Sequence, residues 1–296
     1  MYASNTAEIL AAIQTLFPEG SLIELRIPRK SGTIVGYFKD QQALADAITK
    51  YSGKVPAVYY TLNVPTPDFY TVYPDRVVPQ KATADCQIVR RQWLLIDCDP
   101  VRFGADGLPL KDQKVSSTDS EKQTALDTAK KILQYLTNLG WATPLTADSG
   151  NGFHLLYRLD LPNTKEVTQI IKAVLDKLAE RFDTEFVKVD TTVYNASRIT
   201  KAYGSMACKG AATEDRPHRK SCLRNTTGGK VPVTLERLQA GQPQPEQRAQ
   251  SAQHPAPTKK TGCIIKEESY DWVRNWRAGD YAGKGRRVFG VLRSTT

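Results

Sequence analysis

Three short segments carry side chains whose types and spacing could do chemistry. The first is Asp97 and Asp99, at the end of the apolar run RQWLLIDCD (91–99). In a strand, side chains two apart share a face, so both carboxylates project together, with Cα atoms about 7 Å apart or less. Two like charges side by side are costly to bury. A divalent cation is the usual compensation, and hard carboxylate oxygens suit magnesium or manganese better than zinc. Cys98 between them points to the opposite face and reads as core. A lone Asp-x-Asp is also what a strand end meeting a solvated turn looks like.

The second segment is Asp148-Ser149-Gly150-Asn151-Gly152-Phe153-His154. Its two glycines allow a tight turn, and open backbone N–H groups in such a turn suit an anion. Ser149, Gly150 and Asn151 are therefore candidate anion ligands. His154 follows on a strand, within reach of a phosphate, while Leu155 and Tyr157 on the other face pack inward. Out of context, a strand histidine is more often structural. The third segment is Asp190, which ends FVKVD (186–190) and is followed by Asn195, Ser197, Arg198 and Lys201. A strand-ending acid followed by cations could hold a metal–nucleotide complex. Alone, such an acid is more simply a turn cap.

The elements that must position these groups read as follows. A helix is predicted over 6–17, with Ile9, Leu10, Ile13, Leu16 and Phe17 on one face. A hairpin is predicted from 21–27 and 33–38, then a helix capped by Asp40 and a strand over 55–63. Residues 64–88 read as a long loop. After the 91–99 strand, Thr118 and Glu121 form a capping box that opens a helix ended by Gly140. A second hairpin spans 143–159, Asn163 and Glu166 cap another helix, and a strand lies at 186–190. The order strand, helix, hairpin, helix, strand implies an α+β fold: an antiparallel sheet with helices on one face, similar to an RNA-recognition (RRM-like) fold. An N-terminal α/β subdomain precedes it and a short C-terminal extension follows.

The expected division is 1–238 as one domain, with modules at about 1–88 and 89–238. A flexible linker is expected at 239–262, rich in Gln, Pro and Ala, and a tail or fragment of a further domain at 263–296. The net charge is +10, and its placement is uneven. Residues 1–197 hold 22 Lys and Arg against 23 Asp and Glu, residues 198–230 hold eight against two, and residues 259–296 hold nine against four. Positive charge clustered in the last third is a footprint for a polyanion or, equally on charge alone, a solubilising surface. Five cysteines (Cys86, Cys98, Cys208, Cys222, Cys263) without close pairing fit a reducing compartment. Cys208, His218 and Cys222 lack a knuckle spacing, so no structural zinc is expected. No apolar run approaches the roughly 20 residues of a membrane helix, and the start lacks a leader pattern. A soluble cytoplasmic protein is the expectation.

Together the three segments resemble the archaeo-eukaryotic primase superfamily, most of all the primase-polymerases of phages, plasmids and mobile elements. Asp97 and Asp99, with Pro100 and Arg102 after them, match its first motif. Ser149 and His154 match its second, and Asp190 its third. Asn195, Arg198, Lys201, Gly204, Lys209-Gly210 and Arg216-Pro217-His218-Arg219-Lys220 add to the likeness, which runs from about Val58 to Leu223. The resemblance implies an RRM-like primase catalytic core and template-dependent nucleotidyl transfer from dNTP or NTP to a 3′-hydroxyl, with release of pyrophosphate. It implies two Mg2+ or Mn2+ ions held by Asp97, Asp99 and Asp190. Ser149, Gly150, Asn151, His154, Arg198 and Lys201 would bind the nucleotide. Arg219, Lys220 and Arg224 would contact nucleic-acid backbone, and Tyr59, Tyr60 or Tyr203 could stack a base. Implied partners are DNA template and primer, and a replicative helicase or other replication proteins, with no membrane. VPTPDFYTVYPDRV (64–77) departs from the pattern, and no helicase motif follows the linker.

Two other readings share these residues. A metal-dependent nuclease or phosphohydrolase also uses clustered acids, but leaves the Ser-Gly-Asn-Gly turn and the downstream cations without a task. A non-catalytic replication-initiation module that binds DNA would keep the fold without the chemistry.

Overall fold

The computed structural model describes residues 5–29 and 32–240. The expected linker, apart from its first two residues, and the expected tail lie outside the described residues, as does Cys263.

Two antiparallel sheets dominate. The chain opens with α1 (Thr6–Leu16), whose N-cap Asn5 accepts from the Ala7 N–H at 3.0 Å. The hairpin β1 (Ile23–Arg29) and β2 (Gly32–Phe38) follows, in register from Ile23↔Phe38 to Arg29↔Gly32. Asp40 caps α2 (Gln41–Tyr51), accepting from the Gln42 and Ala43 N–H groups. Of the run 55–63 only β3 (Tyr59–Thr61) is strand. The stretch expected as one long loop contains β4 (Val64–Pro65), a 3-10 turn at Pro67–Tyr70, β5 (Arg76–Val78) and a second 3-10 turn at Asp85–Gln87. These pieces are too short to show periodicity.

The long central strand β6 (Ile88–Pro100) leads to α3 (Asp119–Asn138), opened by the Thr118–Glu121 capping box as expected. Then come β7 (Leu145–Asp148), β8 (Phe153–Pro162), α4 (Lys165–Phe182) and β9 (Val187–Val189). The N-cap of α4 is Thr164, not Asn163. The Asn163 carboxamide is drawn away to the Asp85 and Ile88 carbonyls (2.7 and 2.9 Å) and to Arg91 (3.3 Å). The chain continues through β10 (Ile199–Lys201), β11 (Met206–Ala207), β12 (Arg219–Lys220), β13 (Cys222–Asn225) and α5 (Leu235–Ala240).

The first sheet has the order β10-β3-β1-β2-β5. The second runs β13-β7-β8-β6-β4, with β9 also paired to β6, and β11 and β12 form a separate ribbon. This is a mixed α/β architecture of antiparallel sheets. The two expected modules are interlaced: β10, from the second, completes the first sheet beside β3, and β4, from the first, pairs with β6. A buried asparagine reinforces the crossing. Asn63 Oδ1 accepts from the Gln92 and Trp93 N–H groups at 2.7 and 3.2 Å, and its amide donates to the Ala196 carbonyl at 2.8 Å. The helix α3 packs on β6 and β8, and α4 packs on α3 and β9. Their buried stripes, Ala125, Ala129, Ile132, Leu133 and Leu136 on α3 and Val167, Ile170, Ile171, Val174, Leu175 and Leu178 on α4, follow the helical period.

Candidate active site

The sheet itself brings the chemistry-bearing residues together. Strand β6 has β8 on one side and β9 on the other. Asp97 lies directly opposite His154 in the β6–β8 register, and Asp99 opposite Lys188 in the β6–β9 register. The Asp190 N–H donates to the Asp97 carbonyl at 2.9 Å. Residues more than 90 apart in sequence thus become neighbours across three strands. Their side chains open on a cleft of about 400 Å³. It is lined by Asp97, Asp99, Ser149, Asn151, His154, Asp190, Arg198 and Lys201, and also by Pro28, Tyr59, Thr200 and Lys209. The second sheet supplies the acids. The first supplies Pro28, Tyr59 and the β10 residues.

Each acid has a defined neighbour. Asp97 Oδ1 is 3.4 Å from His154 Nε2. Asp99 is gripped by both terminal nitrogens of Arg102, at 2.8 and 3.1 Å. Arg102 is only 1% exposed and also donates to the Pro100 carbonyl. Lys209 Nζ stands 4.0 Å from Asp99. Burial pulls the Lys209 ammonium below the ordinary lysine range, and Asp99 opposes that shift only in part. Asp190 Oδ1 accepts from the Thr192 N–H and hydroxyl at 2.8 and 2.6 Å, and its Oδ2 accepts from Arg198 at 3.0 Å. Asp190 therefore does cap the turn Thr191–Tyr194, and it does so while facing the cleft. The Lys201 ammonium sits 4.6 Å above the Tyr59 ring and donates to its hydroxyl at 3.1 Å.

The turn before His154 departs from expectation. Its N–H groups are engaged within the turn: Gly150 donates to Asp148 Oδ1 at 2.7 Å, Gly152 to Ser149 Oγ at 2.8 Å, and Ser149 to the Gly152 carbonyl at 3.0 Å. The open-amide cradle is thus corrected. Gly150 does not line the cleft. Its φ of +90° and a would-be Cβ 2.7 Å from Ala207 Cβ explain the glycine. Asn151 is held by Ser117, whose N–H and hydroxyl donate to its side-chain and backbone oxygens at 3.0 and 2.8 Å. The turn is anchored from below by a buried ion pair, Lys122 Nζ to Asp148 Oδ2 at 2.7 Å, with Arg224 adding a contact at 3.2 Å.

Arg219, Lys220 and Arg224 do not line the cleft, and each is tied to an acid. Arg219 donates to Asp119 at 2.6 Å and to the Ser117 carbonyl at 2.7 Å, Lys220 to Glu8, and Arg224 to Asp148. The Arg219 side chain is only 9% exposed in this arrangement. Sequence spacing counts the cations in this segment but cannot see the acids that meet them. The reading of site residues also passed over Thr200 and Lys209 as lining groups. Thr200 stands next to Lys201, which it did select, and Lys209 entered only as part of the likeness.

No family model and no curated protein matches the chain. Solved structures do resemble it. The AEP domain of the cyanophage S-2L primase-polymerase (PrimPol) is 14% identical, with 82% of this chain and 100% of that one covered and a TM-score of 0.46. The primase RepB' is 10% identical, with 80% of this chain and 61% of that one covered and a TM-score of 0.42. The catalytic domain of RepB' in complex with initiator DNA is 11% identical, with 79% and 93% covered and a TM-score of 0.41.

Proposed function

We propose that the chain is a template-dependent primase-polymerase, a nucleotidyltransferase that joins dNTP or NTP to a 3′-hydroxyl at this cleft. The observation that carries the reading is the meeting of Asp97 and Asp99 at the end of β6, His154 at the start of β8 and Asp190 just after β9 on one cleft. The cleft also holds Arg198, Lys201 and Lys209. Carboxylates and cations gathered around one cleft suit a metal–triphosphate complex. A nuclease needs the acids but has no use for three cations around a leaving pyrophosphate.

The donor set fits magnesium or manganese: carboxylate oxygens, no thiolate, on one open surface. Among the described residues no three His, Cys, Asp or Glu side chains are gathered tightly enough to hold a metal. The reason is visible, since Asp99 is turned onto Arg102 and Asp190 onto Arg198 and Thr192. A carboxylate offers about four lone-pair positions, so a protein partner does not by itself exclude a cation. Asp97, Asp99 and Asp190 are the proposed ligands. When bound, such ions ease deprotonation of the attacking hydroxyl and offset charge on the departing pyrophosphate. Arg198, Lys201 and Lys209 position and neutralise the triphosphate, and His154 and Ser149 contact its oxygens. DNA template and primer are the proposed partners.

The test is incubation with a primed DNA template, labelled nucleotides and magnesium or manganese. Wild type is expected to extend the primer and leave the DNA uncut. Loss of metal binding removes several kcal/mol of transition-state stabilisation, and about 1.4 kcal/mol is tenfold. Asp97→Ala and Asp99→Ala should therefore each lose about 10²-fold or more. Cleavage without extension would establish a nuclease instead. Template binding without either reaction would establish a binding module.

A further inference from the structure

Behind the cleft, His154 is held by a buried chain of hydroxyls. Its Nδ1 lies 2.7 Å from the Tyr203 hydroxyl and 3.3 Å from Thr200 Oγ1, and those two oxygens are 3.2 Å apart. Tyr203 is 0% exposed, Thr200 2% and His154 4%. The Tyr203 ring meets the imidazole edge-on at 5.9 Å and packs against Tyr60 at 6.3 Å. On the other side of the ring, Nε2 faces the Asp97 carboxylate at 3.4 Å.

We infer that Tyr203, backed by Thr200, is a positioning residue that fixes His154 as the Nε2–H tautomer and so presents a donor, not a lone pair, to the cleft. A neutral imidazole has one donor and one acceptor nitrogen, and the partner of one decides the role of the other. Placing a lone pair at Nε2 would set it against an acceptor-only carboxylate. Placing it at Nδ1 lets a hydroxyl donate. The proton chain Thr200 Oγ1–H to Tyr203 Oη, then Tyr203 Oη–H to His154 Nδ1, satisfies every group. Burial also keeps the Tyr203 phenol protonated, well above its ordinary range. The consequence is chemical: an Nε2–H can donate to a phosphate oxygen, whereas a bare Nε2 would repel one. The reading rests on the proposed triphosphate site for its kinetic consequence, but not for the tautomer itself.

Two measurements separate these. In nitrogen-15 spectra of the wild-type protein at pH 8, His154 should show a protonated Nε2 and an unprotonated Nδ1. In Tyr203→Phe the Thr200 hydroxyl is left as a more distant donor, and the two tautomers should mix. Losing one buried hydrogen bond of ordinary strength should raise the nucleotide KM about 3- to 10-fold and leave kcat within about twofold. Thr200→Val should keep the tautomer and shift KM less. A protonated Nδ1 in wild type overturns the proposal whatever the activity. So does a Tyr203→Phe variant with lowered melting temperature but unchanged tautomer and KM, which would make Tyr203 packing alone. A fixed Nε2–H tautomer in a protein that binds no nucleotide would instead sink the function proposed above and leave this one standing.

Discussion

Replacing Asp148 by asparagine removes the anion on which the His154 turn is built. The carboxylate is 1% exposed and meets Lys122, whose side chain is 4% exposed, at 2.7 Å, and Arg224 at 3.2 Å. Its other oxygen accepts the Gly150 N–H at 2.7 Å. Burial already pulls the Lys122 ammonium below the ordinary lysine range, even with Asp148 beside it, so desolvation outweighs the attraction here. Removing one partner of such a buried pair costs about 3–5 kcal/mol. Asparagine keeps an oxygen for Gly150, which places the expected loss near the low end, at about 3 kcal/mol. For a unit of this size each kcal/mol is worth about 2–4 °C, so the melting temperature should fall by about 6–12 °C. Lys122→Met leaves Asp148 with Arg224 and should cost about 1–2 kcal/mol less. The two changes should be non-additive in a double-mutant cycle. Thermal unfolding followed by circular dichroism, without added metal, reads all three. A fall of under about 2 °C for Asp148→Asn, or strict additivity, would refute the claim that this pair holds the turn.

Other expectations follow from named contacts. The Glu121 carboxyl is held below its usual range: burial pushes it up, but the paired hydrogen bonds from Arg216 and the Phe103 and Thr118 N–H groups outweigh that. A depressed folded value stabilises the protein above the unfolded value of 4.5 and is lost as pH falls through the folded one. Asp85, lowered against burial by Ser197 and Asn195, acts in the same sense from 3.8 downward. Melting temperature should therefore decline below about pH 4.5, and Glu121→Gln should flatten that decline. An unchanged acid slope in the variant would discount the pair. Gly152→Ala would place a Cβ 2.3 Å from the Cys98 carbonyl and 3.2 Å from Asp99. The β6 edge must then shift, so both stability and primer extension should drop, the former by more than about 2 kcal/mol. A variant as stable as wild type would show that the approach is looser than described.

The parts of the site that local chemistry encodes were legible in the sequence. The period of two in a strand placed Asp97 and Asp99 on one face and Cys98 in the core, and Cys98 is 0% exposed. The Thr118–Glu121 box needs only neighbours three apart, and it is present. What depends on distant partners was not legible. Strand β10 joins β3 across some 140 residues, and no local pattern announces that. Asn163 reads as a cap until Asp85, Ile88 and Arg91 are seen to compete for it. Arg219 and Arg224 read as free cations until Asp119 and Asp148 are seen beside them. The turn Ser149–Gly152 looked like an anion cradle because its glycines were visible, while the acceptors that engage its amides were not. Tyr203 was noticed only as an aromatic. Its hydroxyl matters because folding brings it under an imidazole 49 residues away.

The central claim is that Asp97, Asp99 and Asp190 jointly hold divalent cations at this cleft. The most direct measurement is anomalous diffraction from crystals grown with manganese and a non-hydrolysable nucleoside triphosphate. The account predicts manganese peaks within coordination distance, about 2.0–2.6 Å, of carboxylate oxygens from all three residues, lost in Asp97→Ala. Manganese bound elsewhere, or a nucleotide seated in the cleft with Asp99 still clasped by Arg102 and no ion beside it, would contradict it.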